Sequence, residues 1–181
     1  MIRKLLLTVA ILMMASTSTG QQLVPDGFDV PPVLETERLR LRMLTVNDVV
    51  KDYDAVVSSR KHLQATFSNG STWPIGLTLE QNLIDLGWHQ KEFQIRSSFA
   101  YTVVSLDEER VLGCLYIYAF GKAGYNAQVT MWVRSDTLQE GLDEHLFSSV
   151  KDWIAEDWPF DKVAFPGRDM TFEEYNRLRG L

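Results

Sequence analysis

Three segments rich in Val, Tyr and Phe follow one another between residues 99 and 133, and their succession constrains the fold more than any other feature of the chain. Phe99 to Ser105 and Val111 to Phe120 have strand composition, and the polar stretch Leu106 to Arg110 between them reads as a hairpin turn. Gly121 and Gly124 mark a second turn before a third strand, Ala127 to Val133. The centre of the sheet is therefore built from strands joined by hairpins.

The flanking pattern adds helices. Arg38, Arg40 and Arg42 alternate with Leu39, Leu41 and Met43, the period-2 signature of a strand with one buried and one wet face. Thr45, with Asp48 three residues on, starts a helix in which Val46, Val49, Val50, Tyr53, Val56 and Val57 form an apolar stripe ending around Ser59. Thr66 to Thr78, with Gly70, Pro74 and Gly76, reads as a loop carrying Phe67 and Trp73. Thr78 and Gln81 repeat the capping spacing ahead of a second helix supported by Leu79, Leu83, Leu86 and Phe93. A third helix runs from about Gly141 to Trp158, with Leu142, Leu146, Val150, Trp153 and Ile154 on one face. A short strand, Lys162 to Phe165, and a closing helix, Phe172 to Leu178, complete the chain. The expected order is β, α, α, β, β, β, α, β, α, a mixed α/β fold with a central, mostly antiparallel sheet flanked by helices.

With 181 residues, 45% of them hydrophobic, the chain can bury the core of one domain. The formal charge of -6 and the lack of any basic run argue against a nucleic-acid or anionic-membrane binder, because phosphate neutralisation needs clustered Lys and Arg. The single cysteine, Cys114, allows neither an internal disulfide nor a thiolate-rich metal site, and no metal is expected. Arg3 and Lys4 precede an apolar run from Leu5 to Ala15 and the small-residue stretch Ser16 to Gly20, which is an export-signal pattern cleaved near Gly20. Such a run covers roughly half a bilayer at about 1.5 Å per residue, so no stable membrane insertion is expected after cleavage. Residues 1–20 are thus assigned as signal peptide, 21–32, with Pro25, Gly27, Pro31 and Pro32, as linker, and 33–181 as the domain. The expected location is periplasmic or secreted; a start codon assigned too far upstream is the alternative, and leaves the protein in the cytoplasm.

The stretch Leu34 to Thr45 (LETERLRLRMLT), followed by Asp48, resembles the opening of GNAT enzymes related to the ribosomal-protein alanine acetyltransferases, and the element order extends the resemblance from about Val33 to Leu181. The resemblance implies the GNAT acyl-CoA N-acyltransferase fold, with acetyl-CoA as donor. In that family two neighbouring strands splay to receive the pantetheine arm, and the following loop holds the diphosphate at a helix amino terminus. By the resemblance, the strand of Gly113 and the strand Val129 to Val133 are that pair, and Val133, Arg134, Gln139, Gly141 and Leu142 are the donor-binding positions. The family loop pattern is Gln or Arg, two residues, Gly, one residue, then Gly or Ala. Here only Gly141 matches it, Leu138 and Asp143 stand at its ends, and Asp136, Glu140, Asp143 and Glu144 add negative charge. A carboxylate a few ångströms from the diphosphate costs about 1 kcal/mol or more. Arg134 is the cation placed to oppose these acids, or else it closes a salt bridge at the strand end.

Amine acetylation needs a base for the incoming amine and an acid near the leaving sulfur. The resemblance points to Tyr175, in the ending Tyr175-Asn-Arg-Leu-Arg-Gly-Leu, as the acid; packing in the core is its structural alternative. Glu92 is the candidate base, sharing a helix face with His89 at i, i+3, a spacing that equally makes a surface pair. Tyr116 and Tyr118 face one way along their strand, and Trp73 sits in a loop beside Pro74, so these three are the candidate acceptor-binding residues. His145 either replaces an anion-binding donor or is structural. A Ser-His-Asp hydrolase is discarded, because no Gly-x-Ser-x-Gly elbow exists. Two functions remain: acetyl transfer from acetyl-CoA to a primary amine, on a small molecule or a peptide amino terminus, and a catalytically inactive, exported GNAT-fold binding protein.

Overall fold

A computed structural model of the protein describes residues 22–67, 72–119 and 121–180; the export-signal pattern lies outside them. Strands β1 (Val33–Glu35) and β2 (Arg40–Met43) form a hairpin. Helices α1 (Val49–Ser58), α2 (Arg60–Thr66) and α3 (Leu79–Gln94) then lead to an antiparallel meander of β3 (Ser98–Val104), β4 (Val111–Ala119) and β5 (Ala127–Val133). Helix α4 (Leu142–Asp157) carries the chain to β6 (Val163–Ala164), and α5 (Phe172–Arg177) follows. The described strands make one sheet in chain order, β1 to β6. Only the last pair, β5 with β6, is parallel, as a crossover through a helix dictates. The expected order is thus joined by β1, ahead of the Arg-rich strand, and by α2, between the expected end of the first helix at Ser59 and the loop expected from Thr66.

Local chemistry explains the element starts. Leu39 and Leu41 are fully buried while Arg40 and Arg42 lie on the other face, where they pair with Glu35, Glu108 and Asp48. Asp48 accepts from Arg42 Nη2 at 2.8 Å and from the Thr45 amide at 3.0 Å, which completes the capping box and welds the strand to the helix that follows. Burial pushes the Asp48 carboxyl up, yet the Arg42 and Thr45 hydrogen bonds outweigh it and hold it below the usual carboxylate range. The Thr78–Gln81 box forms as spaced.

Two expected apolar stripes are corrected. Val50 is 66% exposed, and Leu79 and Leu83 are 40% and 45% exposed. The helices instead bury Asp52, Ala55 and Val56 of α1 against Asn82 and Leu86 of α3. Asn82 Nδ2 donates to Asp52 Oδ2 at 2.8 Å, so a buried polar pair, not a leucine seam, sets how α1 meets α3.

The sheet separates two cores. One face, with Phe99, Tyr101, Leu115, Ile117 and Val129, is covered by Leu146, Val150, Trp153 and Ile154 of α4. Residues 22–32 contain no helix or strand, but Val24 is buried in this core, Phe28 meets Trp158 at 6.0 Å between ring centroids, and Tyr101 Oη donates to the Pro31 carbonyl at 2.7 Å. The opposite face, with Ala100, Cys114 and Trp132, packs against α1 and α3. There β4 and β5 run so close that a Cβ on Gly113 would lie 1.9 Å from the Trp132 carbonyl oxygen.

Candidate functional site

A cavity of about 630 Å³ opens between α1, α3 and the second face of the sheet. Its floor follows from strand register, because residues paired across neighbouring strands point to the same side. Ser98, Tyr118 and Gln128 form one transverse row, Ala100, Tyr116 and Thr130 the next, and Thr102, Cys114 and Trp132 the third. Tyr116 and Tyr118 stack with ring centroids 5.9 Å apart. Opposite them, α3 presents Asn82, Asp85, Leu86, His89 and Glu92, spaced three or four residues apart and therefore on one face. Asp52 and Val56 come from α1, while Phe67, Trp73 and Phe172 close the sides. Among the described residues the lining holds three carboxylates, Asp52, Asp85 and Glu92, and neither Lys nor Arg.

Four of the sequence-derived candidates, Trp73, Tyr116, Tyr118 and Glu92, are brought together in this lining. Glu92 accepts from Ser98 Oγ at 2.7 Å and lies 3.9 Å from His89 Nδ1. Burial lowers the His89 pKa against the opposing pull of Glu92 and Asp85. Burial also raises both tyrosines, so Tyr116 and Tyr118 stay protonated. Tyr175 stands outside the lining on α5, but its hydroxyl donates to Gln128, whose side chain lines the cavity. The row Ser98, Tyr118, Gln128 thus runs across the sheet from Glu92 at one end to Tyr175 at the other.

Sequence reasoning missed Asp52, Asn82, Asp85, Gln128 and Thr130. Asp52 is 3% exposed, with its carboxylate held by Asn82 and, at 3.4 Å, by Cys114 Sγ. Burial pushes this carboxyl up; those two hydrogen bonds oppose the shift, and the charges of Asp48 and Asp85 add to it. The signal was a pair of polar residues at positions where helical periodicity wants apolar ones.

The expected splay lies elsewhere than the resemblance suggested. β4 and β5 are hairpin partners, paired without a gap from Gly113–Val133 to Ala119–Ala127, and leave no slot. The opening is between β5 and β6, which pair only at Ala127–Val163 and Gln128–Ala164. Beyond Gln128 the two parallel strands part, and a second cavity of about 130 Å³ occupies the wedge. It is lined by Thr130 and Met131 of β5, by His62 and Thr66 of α2, and by Pro166, Gly167 and Arg168 after β6. Burial lowers the His62 pKa, with Asp143 and the backbone of Val133 opposing and Arg168 adding. Arg168 spans the wedge with two hydrogen bonds to Asp143 in the first turn of α4, one of them 2.6 Å long.

The remaining donor-side candidates surround this wedge. Val133 ends β5, and Arg134 is buried with Nη1 2.7 Å from Asp54 and Nε 3.4 Å from Asp136, which is the salt-bridge alternative of its two roles. Ser135–Glu140 winds into a 3-10 turn that leaves Gln139 exposed. Gly141 takes a left-handed φ of 68°, which suits glycine, and Leu142 opens α4 with no side-chain cap. Arg38 Nη2 donates to the Glu140 carbonyl at 2.8 Å, and His145 Nε2 lies 2.9 Å from Thr36 Oγ1, a structural role.

A sheet in chain order whose last, parallel pair parts beside a crossover helix is the GNAT acyltransferase fold, and the solved structures that the chain matches carry it. The ribosomal-protein-S5-alanine acetyltransferase of Vibrio fischeri is similar at 17% identity over 70% of this chain and 67% of that one, with a TM-score of 0.55. A ribosomal L7/L12 α-N-protein acetyltransferase is similar at 18% identity over 74% and 70%, with a TM-score of 0.54. The microcin C7 self-immunity acetyltransferase, solved with acetyl-CoA and AMP, matches at 10% identity over 71% and 69%, with a TM-score of 0.53. At these identities the likeness is one of fold. No family sequence model matches the chain, and no curated protein matches it.

Proposed function

We propose that the protein transfers an acetyl group from acetyl-CoA to a primary amine held in the cavity between α1, α3 and the sheet. The observation that carries this reading is that the acidic cavity and the β5–β6 wedge share the walls Thr130, Phe67 and Phe172, so a donor in one meets an acceptor in the other. In the wedge, β5 from Val129 to Val133 offers a backbone edge without a strand partner, and the start of α4 offers helix amides to a diphosphate. Asp143 opposes that anion and Arg168 favours it.

Acetyl-CoA supplies an activated thioester; the chain supplies position and proton transfer. The carboxylates gather the ammonium form of the acceptor. Glu92 takes its proton, the free nitrogen forms a bond to the acyl carbon, and the carbon–sulfur bond breaks. The thiolate leaves with a proton from Tyr175, which burial keeps in its neutral form and which takes back the second proton from the acylated nitrogen. The products are an acetamide and free CoA thiol.

Thiol release by protein lacking residues 1–20, with acetyl-CoA and a panel of primary amines, tests the reading. Release that needs both reactants is expected, and Tyr175→Phe should lower turnover while barely changing acetyl-CoA affinity. Specific observations favour a second reading, an inactive binding protein: the acidic 3-10 turn before α4 and the Asp143–Arg168 bridge across the wedge. Amine binding without any thiol release would establish that one. Export also favours it, because acetyl-CoA is a cytosolic metabolite. Export itself is proposed from residues 1–20 alone; a mature amino terminus near Gln21 is expected, and an intact Met1 on the protein from its host would contradict it.

A further inference from the structure

We propose that His89 is the group that touches the acceptor nitrogen and removes its proton, at Nε2, and that Glu92 receives that proton only through the His89 ring. The inference deepens the acetyl-transfer reading and rests on it.

Position decides between the two residues. The wedge and the cavity share the wall Thr130, so the acceptor nitrogen has to arrive there to meet the acyl carbon. Glu92 is tied to Ser98 on β3, and β4 separates β3 from β5, which puts the two outer strands about 10 Å apart at about 4.8 Å per spacing. A base works within about 3 Å of the proton it removes, or through one water. Glu92 is too far from Thr130 for either. His89 lies one helical turn back along α3, against the row Ala100, Tyr116, Thr130, with its ring centroid 5.0 Å from that of Tyr116. Tyr116 is the direct neighbour of Thr130 across the β4–β5 pair, so an amine lodged between them stands at the imidazole. Among the described residues His89 is also the only histidine of the cavity lining.

The link to Glu92 is built into the fold. Glu92 Oε2 accepts from Ser98 Oγ at 2.7 Å, and the same oxygen stands 3.9 Å from His89 Nδ1. That nitrogen is buried without a hydrogen-bond partner, although the His89 side chain keeps 23% of its surface open. An i, i+3 pair on a free helix surface would leave both groups in water; here buried Ser98 fixes the carboxylate and the sheet confines the ring. A ring nitrogen in that place is satisfied only as a donor to the carboxylate, which leaves the lone pair on Nε2. The 3.9 Å gap is longer than a hydrogen bond, and it closes as the bound amine presses on the ring, in the way catalytic hydrogen bonds tighten when substrate arrives.

The protons balance. The ammonium N–H bond breaks as an Nε2–H bond forms, giving an imidazolium held by Glu92; the Nδ1–H bond then breaks as the Glu92 carboxyl forms. The ring ends neutral in its other tautomer, and exchange with water restores the start. The titratable groups around it are Asp85 and Glu92 of α3, Asp52 of α1, and Tyr116 and Tyr118 of β4. Asp85 and Glu92 oppose the burial that lowers the His89 pKa, and the tyrosines stay protonated. Acid below that lowered value protonates Nε2 and removes the base.

Thiol release by protein lacking residues 1–20, with acetyl-CoA and hexylamine across pH, tests this in the parent, His89→Gln, Glu92→Gln and the double variant, with circular dichroism to check folding. His89→Gln should lower turnover at least about 100-fold, keep KM for hexylamine within about threefold, and lose the parent's acidic limb. Glu92→Gln should lower turnover about tenfold and move that limb to lower pH, because the charge that opposed the shift is gone; added to His89→Gln it should change nothing. Since Glu92→Gln leaves the imidazole in place, its pH profile decides the matter even where His89→Gln does not fold. A His89→Gln turnover within about threefold of the parent, losses that multiply in the double variant, or an acidic limb that Glu92→Gln leaves unmoved would overturn the inference and leave acetyl transfer standing. A parent that releases no thiol would sink the acetyl-transfer reading and this inference with it.

Discussion

Asp52 lies in a helical stripe that otherwise buries Ala55 and Val56, and it is there that stability and recognition pull apart. Because burial raises its pKa, the folded chain binds this proton more tightly than the unfolded chain does. The associated stability is fully present below the ordinary carboxylate pKa of about 3.9 and is lost as pH rises through the raised value. Asp52→Asn removes that loss. The variant should therefore melt at a higher temperature than the parent near pH 7 and together with it near pH 3; thermal melts across pH check this, and a variant less stable at neutral pH would contradict it. Trp73, Tyr116, Tyr118 and Glu92 were legible in the sequence because aromatic residues on a strand or loop and an acid on a helix face stand out locally. Asp52 and Asn82 were not, since the apolar stripes expected on the two helices pass beside their positions and only the contact between the helices reveals them as a pair.

Elements with local causes were legible too. The capping boxes at Thr45 and Thr78, the β3–β4 hairpin and the α4 stripe each follow from residues within a few positions of one another. Which strands part was not legible, because it depends on how far the two-residue strand β6 pairs with β5, a contact across the whole of α4. For the same reason the acids around Gly141 could be seen in the sequence, but Arg168 opposite Asp143 could not. That ion pair makes a prediction for the element. Asp143→Asn weakens the bridge and removes a like charge near the diphosphate, so acetyl-CoA affinity measured by calorimetry should rise about fivefold to tenfold. Unchanged affinity would put the diphosphate away from the start of α4.

For the molecule as a whole, the sheet divides two jobs. The α4 face holds the larger apolar core and also secures residues 22–32 through Val24 and Phe28, while the α1–α3 face leaves its apolar packing incomplete and encloses the cavity. The described residues include no helix long and apolar enough to cross a membrane. The chain carries a formal charge of -6, and among the described residues the cavity lining holds three carboxylates and no Lys or Arg. The wedge and the cavity meet at Thr130, one strand position beyond the last β5–β6 contact on that face. A crystal structure with a bisubstrate analogue, in which CoA sulfur is joined through an acetyl linker to the nitrogen of hexylamine, tests that meeting point most directly. The linker carbonyl should lie beside Gln128 and Thr130, with the pantetheine arm along β5 and the alkyl chain in the α1–α3 cavity. An analogue bound with its pantetheine arm outside the β5–β6 wedge, or with the alkyl chain outside the α1–α3 cavity, would contradict the account.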